Sequence, residues 1–307
     1  QEETGVAYVS KESGKMHACG HDSHMAILLG ICAYASQNKD RLSGKLMTIF
    51  QPAEEIVVGA KAMLRDELFA DFHPDRFVGI HNWPSLKAGT LGLQSGPITA
   101  FADGFKVTFK GQGGHGAFPQ RTKDPIAMAS AGIQNAFSAT QRRTDANFPQ
   151  TLSFGMIQGG TSFNVIPEEV VVEGTVRTMR PEDQNNMIEI LHQAFASGVS
   201  LYGGEYELEY RKGVPAVIND DNVVTELTEI LKTRLRETEV VSEGLASLIG
   251  EDVAYFLQEI PGVLLLIGSG QKGAINELHN SRFLVPKETL HSGYQALVSI
   301  LDAYLGT

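Results

Sequence analysis

The stretch Met16-His17-Ala18-Cys19-Gly20-His21-Asp22-Ser23-His24 leads directly into the apolar run Met25-Ala26-Ile27-Leu28-Leu29-Gly30. Cys19 and His21 are two residues apart, so on an extended or turn backbone their side chains leave on the same side and can reach one ion. Thiolate and imidazole suit a divalent metal. Asp22 stands where a helix could begin. The alternative is a helix N-terminus that happens to be rich in histidine, but a buried Cys-x-His pair without a role would be costly.

Composition describes an ordinary globular protein and excludes several classes. The chain has 307 residues, enough for two domains, with 42% hydrophobic and 20% charged residues. The formal net charge is −11 and the lysines and arginines form no cluster, which argues against a nucleic-acid partner. No apolar run approaches the roughly 20 residues of a membrane span. We expect neither nucleic-acid nor membrane binding.

The two cysteines, Cys19 and Cys32, exclude a disulfide framework and favour a reducing, cytoplasmic location. The first residues, Gln1-Glu2-Glu3-Thr4-Gly5, lack a methionine and have the composition of a loop. We therefore expect that residues are absent from this end, where a targeting signal would lie.

The chain alternates predicted helices and strands in its first and last parts. The spacing predicts helices over residues 22–37, 58–69, 220–238, 251–257 and 287–305, and strands over 45–50, 77–80 and 262–268. Between them, predicted strands (104–110, 151–157, 170–178, 205–211) and helices (124–139, 181–199) follow the β-α-β-β-α-β order of a ferredoxin-like domain. We predict an α/β/α catalytic domain over 1–97 and 217–307 with a central, mostly parallel sheet. An inserted α+β lid and dimerisation domain would occupy 98–216.

Carboxylates and histidines follow the predicted strands. Glu54 and Glu55 come after the strand over 45–50, so one can bind a cation while the other takes a proton from water. Such a pair alone is common on surfaces. His81 ends the strand over 77–80, and His279 lies in a polar loop before the last helix. Each could be structural, but together they place ligands at the end of an α/β sheet.

These side chains supply five candidate ligands: Cys19, His21, Glu55, His81 and His279. One tetrahedral zinc ion takes at most four protein ligands, and a catalytic site keeps one position open. The set therefore predicts two divalent ions per subunit that share a bridge, with the thiolate as a plausible bridging group. The donors suit zinc, manganese, cobalt or nickel.

Further candidates lie in the middle of the chain. His115 stands on a glycine-rich turn, Gly111-Gln112-Gly113-Gly114-His115-Gly116, where the backbone can approach a ligand closely. A turn histidine without a function is the alternative. Asn164 and Arg177 could bind an anion, since arginine is well shaped to hold a carboxylate.

Six motifs occur in order: Met-His-Ala-Cys-Gly-His-Asp-Ser-His (16–24), Gln-Pro-Ala-Glu-Glu (51–55), Gly-Ile-His-Asn-Trp-Pro (79–84), Gly-Gly-His-Gly-Ala-Phe-Pro (113–119), Asn-Val-Ile-Pro (164–167) and Gly-Thr-Val-Arg-Thr (174–178). With them the chain resembles bacterial and plant amidohydrolases of the aminoacylase/carboxypeptidase type, including hippurate hydrolases, N-acyl-L-amino-acid amidohydrolases and auxin-conjugate hydrolases. The resemblance implies a two-metal catalytic domain interrupted by a ferredoxin-like lid that also forms a homodimer. It makes the five candidates above the metal ligands and Glu54 the general base. It also implies that His115 steadies the oxyanion in the partner's active site, and that Asn164 and Arg177 hold the substrate. Members carry an Asp-Met-Asp segment before the stretch that matches Gln1-Glu2-Glu3, and this chain does not contain it.

The expected activity is metal-dependent hydrolysis of the amide bond in small N-acyl-L-amino acids. Cleavage of short peptides, as by a dipeptidase or carboxypeptidase, keeps the same fold. A catalytically inactive homologue that binds metal or ligand is a further alternative. The weakest is a thiol hydrolase in which Cys19 works with a histidine.

Overall fold

The computed structural model describes residues 1–273 and 277–307. Over these ranges the chain divides into two compact units. Unit 1 comprises Gln1–Ile98, Ile218–Leu245 and Tyr255–Thr307, and unit 2 comprises Thr99–Val217 and Ala246–Ala254. Within the described ranges, we find no helix with both the length and the apolar character needed to cross a membrane.

Helices and strands alternate along the chain. The helices are α1 His21–Gln37, α2 Gly59–Arg65, α3 Pro125–Arg143, α4 Pro181–Tyr202, α5 Asp221–Arg234, α6 Ala254–Glu259 and α7 Lys287–Leu305. The strands are β1 Phe77–Lys87, β2 Leu91–Gly92, β3 Gly96–Pro97, β4 Phe101–Lys110, β5 Gly114–His115, β6 Thr151–Gly159, β7 Val165–Ile166, β8 Glu169–Thr178, β9 Glu205–Val214, β10 Ile218–Asn219, β11 Val240–Val241 and β12 Gly262–Gly270. The chain is therefore a mixed α/β protein, as predicted.

Unit 1 is built around strand β12. Its apolar run Val263–Ile267 is buried on both faces, as expected of a central strand. The described strands of the main sheet follow the order β1-β12-β2-β11. Helices α1, α5 and α7 contribute Ile27, Leu227 and Ala296 to the core that packs with β12. This arrangement places the start of α1 and the middle of β1 in one unit.

The predictions for unit 1 hold in part. Helix α7 spans the predicted residues, and α1 begins one residue before its predicted start. The sheet is mixed: β1–β12 and β2–β11 run parallel, and β12–β2 runs antiparallel, so two of the three described pairings are parallel. Strand β1 continues to Lys87, so His81 lies inside the strand and not at its end.

The predicted strand over residues 45–50 is wrong. The segment pairs with no strand in the described part of the chain, and Leu46 and Phe50 are 45% and 42% exposed. An apolar run favours a strand only where a neighbouring strand accepts its backbone hydrogen bonds and a core covers its side chains. Neither condition is met here.

Unit 2 contains an antiparallel sheet whose described strands follow the order β6-β8-β4-β9. Helices α3 and α4 pack together and against the sheet, where Phe109 and Phe195 meet edge to face at 5.5 Å. The side chain of Asp124 caps α3 by accepting hydrogen bonds from Ile126 and Ala127 N–H, and Pro125 takes the first helical position. A separate short pair, β5 with β7, carries His115 opposite Val165.

Candidate metal centre

Cys19 and His21 flank the turn into α1. Gly20 between them has a φ of +76°, and His21 is the first residue of the helix. Cys19 is buried, and its Sγ lies 3.6 Å from Nε2 of His81 on β1. The turn therefore brings two sequence-distant candidate ligands into contact.

Glu54 and Glu55 lie on a single 3₁₀ turn, Glu54–Ile56. The flanking residues Ala53 and Val57 have φ values of +55° and +50°, a conformation that is costly for residues other than glycine. The turn directs both carboxylates towards His21: Glu54 Oε2 lies 3.4 Å from its Nε2, and Glu55 Oε1 lies 4.0 Å from its Nδ1. Backbone strain here accompanies convergence of charged side chains.

His279 completes the group from the other end of the chain. Its φ is +63°, and its main-chain N–H donates to the carbonyl of Ala18, 2.8 Å away. That bond ties the loop before α7 to the Cys19 turn. Nε2 of His279 lies 3.3 Å from Glu55 Oε2.

The candidate ligands form three overlapping groups in unit 1, with ligand atoms within 4.8 Å of one another. The groups are Cys19–His21–His81, Cys19–Glu55–His279 and His21–Glu54–Glu55. Cys19, His21 and Glu55 each belong to two of these groups, so the groups form one continuous cluster. Nε2 of His21 is buried and makes no hydrogen bond within the described structure. This set of sulfur, nitrogen and oxygen donors, with Nε2 of His21 not used in a hydrogen bond, fits divalent ions such as zinc.

Burial keeps the central imidazoles neutral. Loss of solvent lowers the pKa of His81 to about 4, although the Asn82 carbonyl hydrogen-bonded to its ring opposes the shift. The pKa of His21 is also lowered, again chiefly by burial. Neutral imidazole is the form that binds metal, so both rings are in the ligating state at pH 7.

The other predicted site residues lie in unit 2. His115 is exposed on β5, and its Nδ1 accepts a hydrogen bond from Ala117 N–H, which leaves Nε2 to carry the proton of the neutral ring. The main-chain carbonyl of Asn164 accepts a hydrogen bond from the N–H of Gly116, the residue after His115. The predicted residues His115 and Asn164 are therefore neighbours. Arg177 lies on β8, where its Nη1 donates to the carbonyl of Val176, 3.0 Å away.

Sequence reasoning missed Asn82, which follows His81 on β1 and is completely buried. Its side chain contacts Cys19, His24 and Ser269. The available signal was an amide directly after a candidate ligand on a strand expected to be buried.

Known proteins match nearly the whole length of this chain. The profile described as Peptidase family M20/M25/M40 matches residues 1–303. An N-acetyl-L-cysteine deacetylase of Bacillus subtilis (strain 168) is 36% identical over 308 residues, covering 99% of this chain and 72% of the relative. Thermostable carboxypeptidase 2 of Saccharolobus solfataricus is 36% identical over 301 residues, covering 95% and 74%. The crystal structure of a dinuclear metal binding peptidase of the M20 family from Bacillus subtilis superposes with a TM-score of 0.85 at 31% identity, covering 99% and 78%.

Since the family profile spans nearly all of the sequence and the candidate ligands converge in one unit, the chain belongs to peptidase family M20/M25/M40. It is a metal-dependent amidohydrolase.

Proposed function

We propose that this protein hydrolyses the amide bond of N-acyl-L-amino acids to a carboxylic acid and a free amino acid. The observation that carries the proposal is the convergence of Cys19, His21, Glu55, His81 and His279, with the Glu54 carboxylate beside His21. The names of similar proteins support it, since they include an N-acetyl-L-cysteine deacetylase.

The residues of the centre have two different roles, metal binding and proton transfer. Cys19, His21, Glu55, His81 and His279 would hold two divalent ions. Such ions polarise an acyl carbonyl and lower the pKa of a water molecule beside it. Glu54 accepts a proton from that water as the water oxygen bonds to the acyl carbon. It then donates the proton to the amide nitrogen as the carbon–nitrogen bond breaks.

We assign three residues of unit 2 to the substrate. His115 would donate a hydrogen bond from Nε2 to the oxyanion, in the active site of the partner subunit of a homodimer. Asn164, whose Oδ1 accepts a hydrogen bond from the Ser162 hydroxyl, is left with an amide N–H₂ that can donate to the same carbonyl. Arg177 would pair with the carboxylate of the amino acid. In this proposal unit 2 acts as an inserted lid and dimerisation domain.

Edge strand β6 supports the homodimer. Its sequence, Thr151–Gly159, contains no charged residue, and Met156 and Ile157 are 39% and 58% exposed. The opposite edge, β9, carries charges along its length: Glu205, Glu207, Glu209, Arg211 and Lys212. Charged edges resist pairing and uncharged ones permit it, so we place the second copy on β6. The chain contains only two cysteines, Cys19 and Cys32, and this low number supports a reducing location such as the cytoplasm.

Peptide hydrolysis is the second candidate, because a carboxypeptidase is as similar in sequence as the deacetylase. The same centre can cleave either kind of amide. A panel of N-acetyl amino acids and dipeptides separates the two, with the higher kcat/KM expected for the N-acetyl compounds. Faster dipeptide cleavage would assign the peptidase role.

A pair of adjacent variants tests the proposed mechanism. Glu54→Gln should keep bound metal and lose turnover by at least about 100-fold, the scale of a lost general base. Its matched control, Glu55→Gln, should lose metal as well as activity. A Glu54→Gln enzyme as active as the parent would contradict the assignment. Metal binding without hydrolysis of any panel compound would show an inactive homologue, and activity insensitive to chelator would point to a thiol hydrolase.

A further inference from the structure

Asn82 is completely buried in the middle of β1, next to the candidate ligand His81. A buried amide is costly unless its donors and acceptors find partners. The neighbours that satisfy it therefore indicate what it does.

The side chain of Asn82 joins three elements. Nδ2 lies 2.6 Å from the carbonyl oxygen of Cys19, which can only accept, so this atom is the amide nitrogen. On the other side, the hydroxyl of Ser269 on β12 donates to Oδ1 at 3.2 Å. The amide thus links the loop of the Cys19 ligand to the sheet.

The main chain of Asn82 orients two histidines. Its carbonyl oxygen lies 2.7 Å from Nδ1 of His81, so that ring nitrogen carries the proton and Nε2 presents a lone pair 3.6 Å from Cys19 Sγ. Its N–H donates to Nε2 of His24 at 2.8 Å, and Nδ2 lies 3.1 Å from the same atom. His24 therefore anchors the amide and does not present Nε2 to an ion.

We propose that Asn82 is a positioning residue that fixes the Cys19 thiolate and the His81 imidazole as one preorganised half of the metal centre. This inference rests on the proposed metal centre and adds the residue that aligns two of its ligands. Gly20 allows Asn82 to approach the Cys19 turn, because a Cβ at position 20 would lie 2.6 Å from Asn82 Nδ2. Partners that orient metal ligands in this way commonly affect metal affinity by about 10–100-fold.

The alternative is a structural role alone, and the chain offers a matched control for it. Asn219 is another buried amide of unit 1, 1% exposed. Its Nδ2 donates to the Gln94 carbonyl at 2.9 Å, and its Oδ1 accepts from Leu264 N–H at 2.7 Å. It contacts the same central strand but none of the candidate ligands.

The experiment compares Co²⁺ binding by the full chain and its Asn82→Asp and Asn219→Asp variants. Asp at position 82 keeps the size of the side chain but presents oxygen, not N–H₂, to the Cys19 carbonyl. We expect Asn82→Asp to bind Co²⁺ about 10–100-fold more weakly by calorimetry. At saturation it should also show a weaker thiolate-to-cobalt charge-transfer absorption. Asn219→Asp should keep wild-type affinity and absorption.

The outcomes separate this inference from the proposed function. If the parent protein binds no Co²⁺, the metal centre itself is wrong. If the parent binds and Asn82→Asp binds equally well, or if both variants weaken equally, Asn82 does not position the ligands. Should Asn82→Asp not fold, Asn82→Ser, which is neutral and smaller, replaces it with the same expected loss.

Discussion

Gly20 separates two candidate metal ligands, Cys19 and His21, and has a φ of +76°. A Cβ added to Gly20 would lie 2.6 Å from Asn82 Nδ2 and 2.9 Å from Val285 Cγ2. Both the backbone conformation and the close packing therefore require glycine at this position.

We predict that Gly20→Ala weakens metal binding. We also predict that it destabilises the fold more than Gly14→Ala, a substitution at another glycine with positive φ. Gly14 has a φ of +75° with nothing within 4 Å of an added Cβ. Gly14→Ala should therefore cost only the left-handed backbone penalty, about 1–2 kcal/mol. Gly20→Ala should add an overpacking cost of about 1–3 kcal/mol. Denaturant unfolding and metal titration of both variants measure the difference, and equal losses would contradict it.

Residue chemistry explains which parts of the site could be predicted. Cysteine, histidine and paired glutamates have few roles in combination. The sequence was therefore enough to predict the six side chains that converge in unit 1. Asn82 could not be found in this way. Its role depends on a contact with the Cys19 carbonyl 63 residues away, and an asparagine alone indicates no chemistry.

Helices and strands were predictable where the apolar pattern of a single segment determines its secondary structure. Helix α7 and strand β12 carry long, consistent apolar patterns, and the structure contains both. Residues 45–50 have a similar pattern but no strand beside them in the described chain. Strand pairing is a property of two segments, and the pattern of one cannot supply the other.

The two edges of the unit 2 sheet lead to a prediction about association. Ile157→Lys places a charge on β6 and should convert a homodimer to monomers, because a buried unpaired lysine opposes edge pairing. Glu207→Lys on β9 changes charge on the opposite edge and should leave the dimer intact. Sedimentation velocity of the two variants decides between the edges. A parent protein that is monomeric at all concentrations would remove the dimer from the proposal.

In unit 2, the partly buried phenol of Tyr210 contacts the buried carboxylate of Asp103, and we expect this pair to affect the stability of the whole molecule in alkali. The phenol of Tyr210 donates to Asp103 Oδ2 at 2.6 Å, and the carboxylate also accepts from Gln184 and from Gly213 N–H. Burial, followed by the bond to Asp103, raises the pKa of Tyr210 above that of an exposed tyrosine. The protonated phenol is therefore favoured in the folded state.

We predict that Tyr210→Phe lowers stability at pH 7 by about 1–3 kcal/mol, since a buried carboxylate loses a donor. In the parent, the contribution of the raised pKa is present below pH 10 and is lost as pH rises further, because the unfolded tyrosine then ionises first. Tyr210→Phe should show a smaller fall in stability above pH 10. Tyr206→Phe on the same strand serves as the control and should keep the parental fall. Urea unfolding at pH 7 and pH 11 measures both, and identical alkaline falls in all three proteins would contradict the assignment.

In the proposed dinuclear centre, side chains from residues 19 to 279 come together around two ions. Anomalous diffraction from crystals grown with Zn²⁺ would locate those ions. We predict two peaks in unit 1, each about 2.0–2.3 Å from donor atoms of the predicted ligands: Cys19, His21, Glu55, His81 and His279. Crystals that show no peak there, or peaks only at other residues, would contradict the proposed centre.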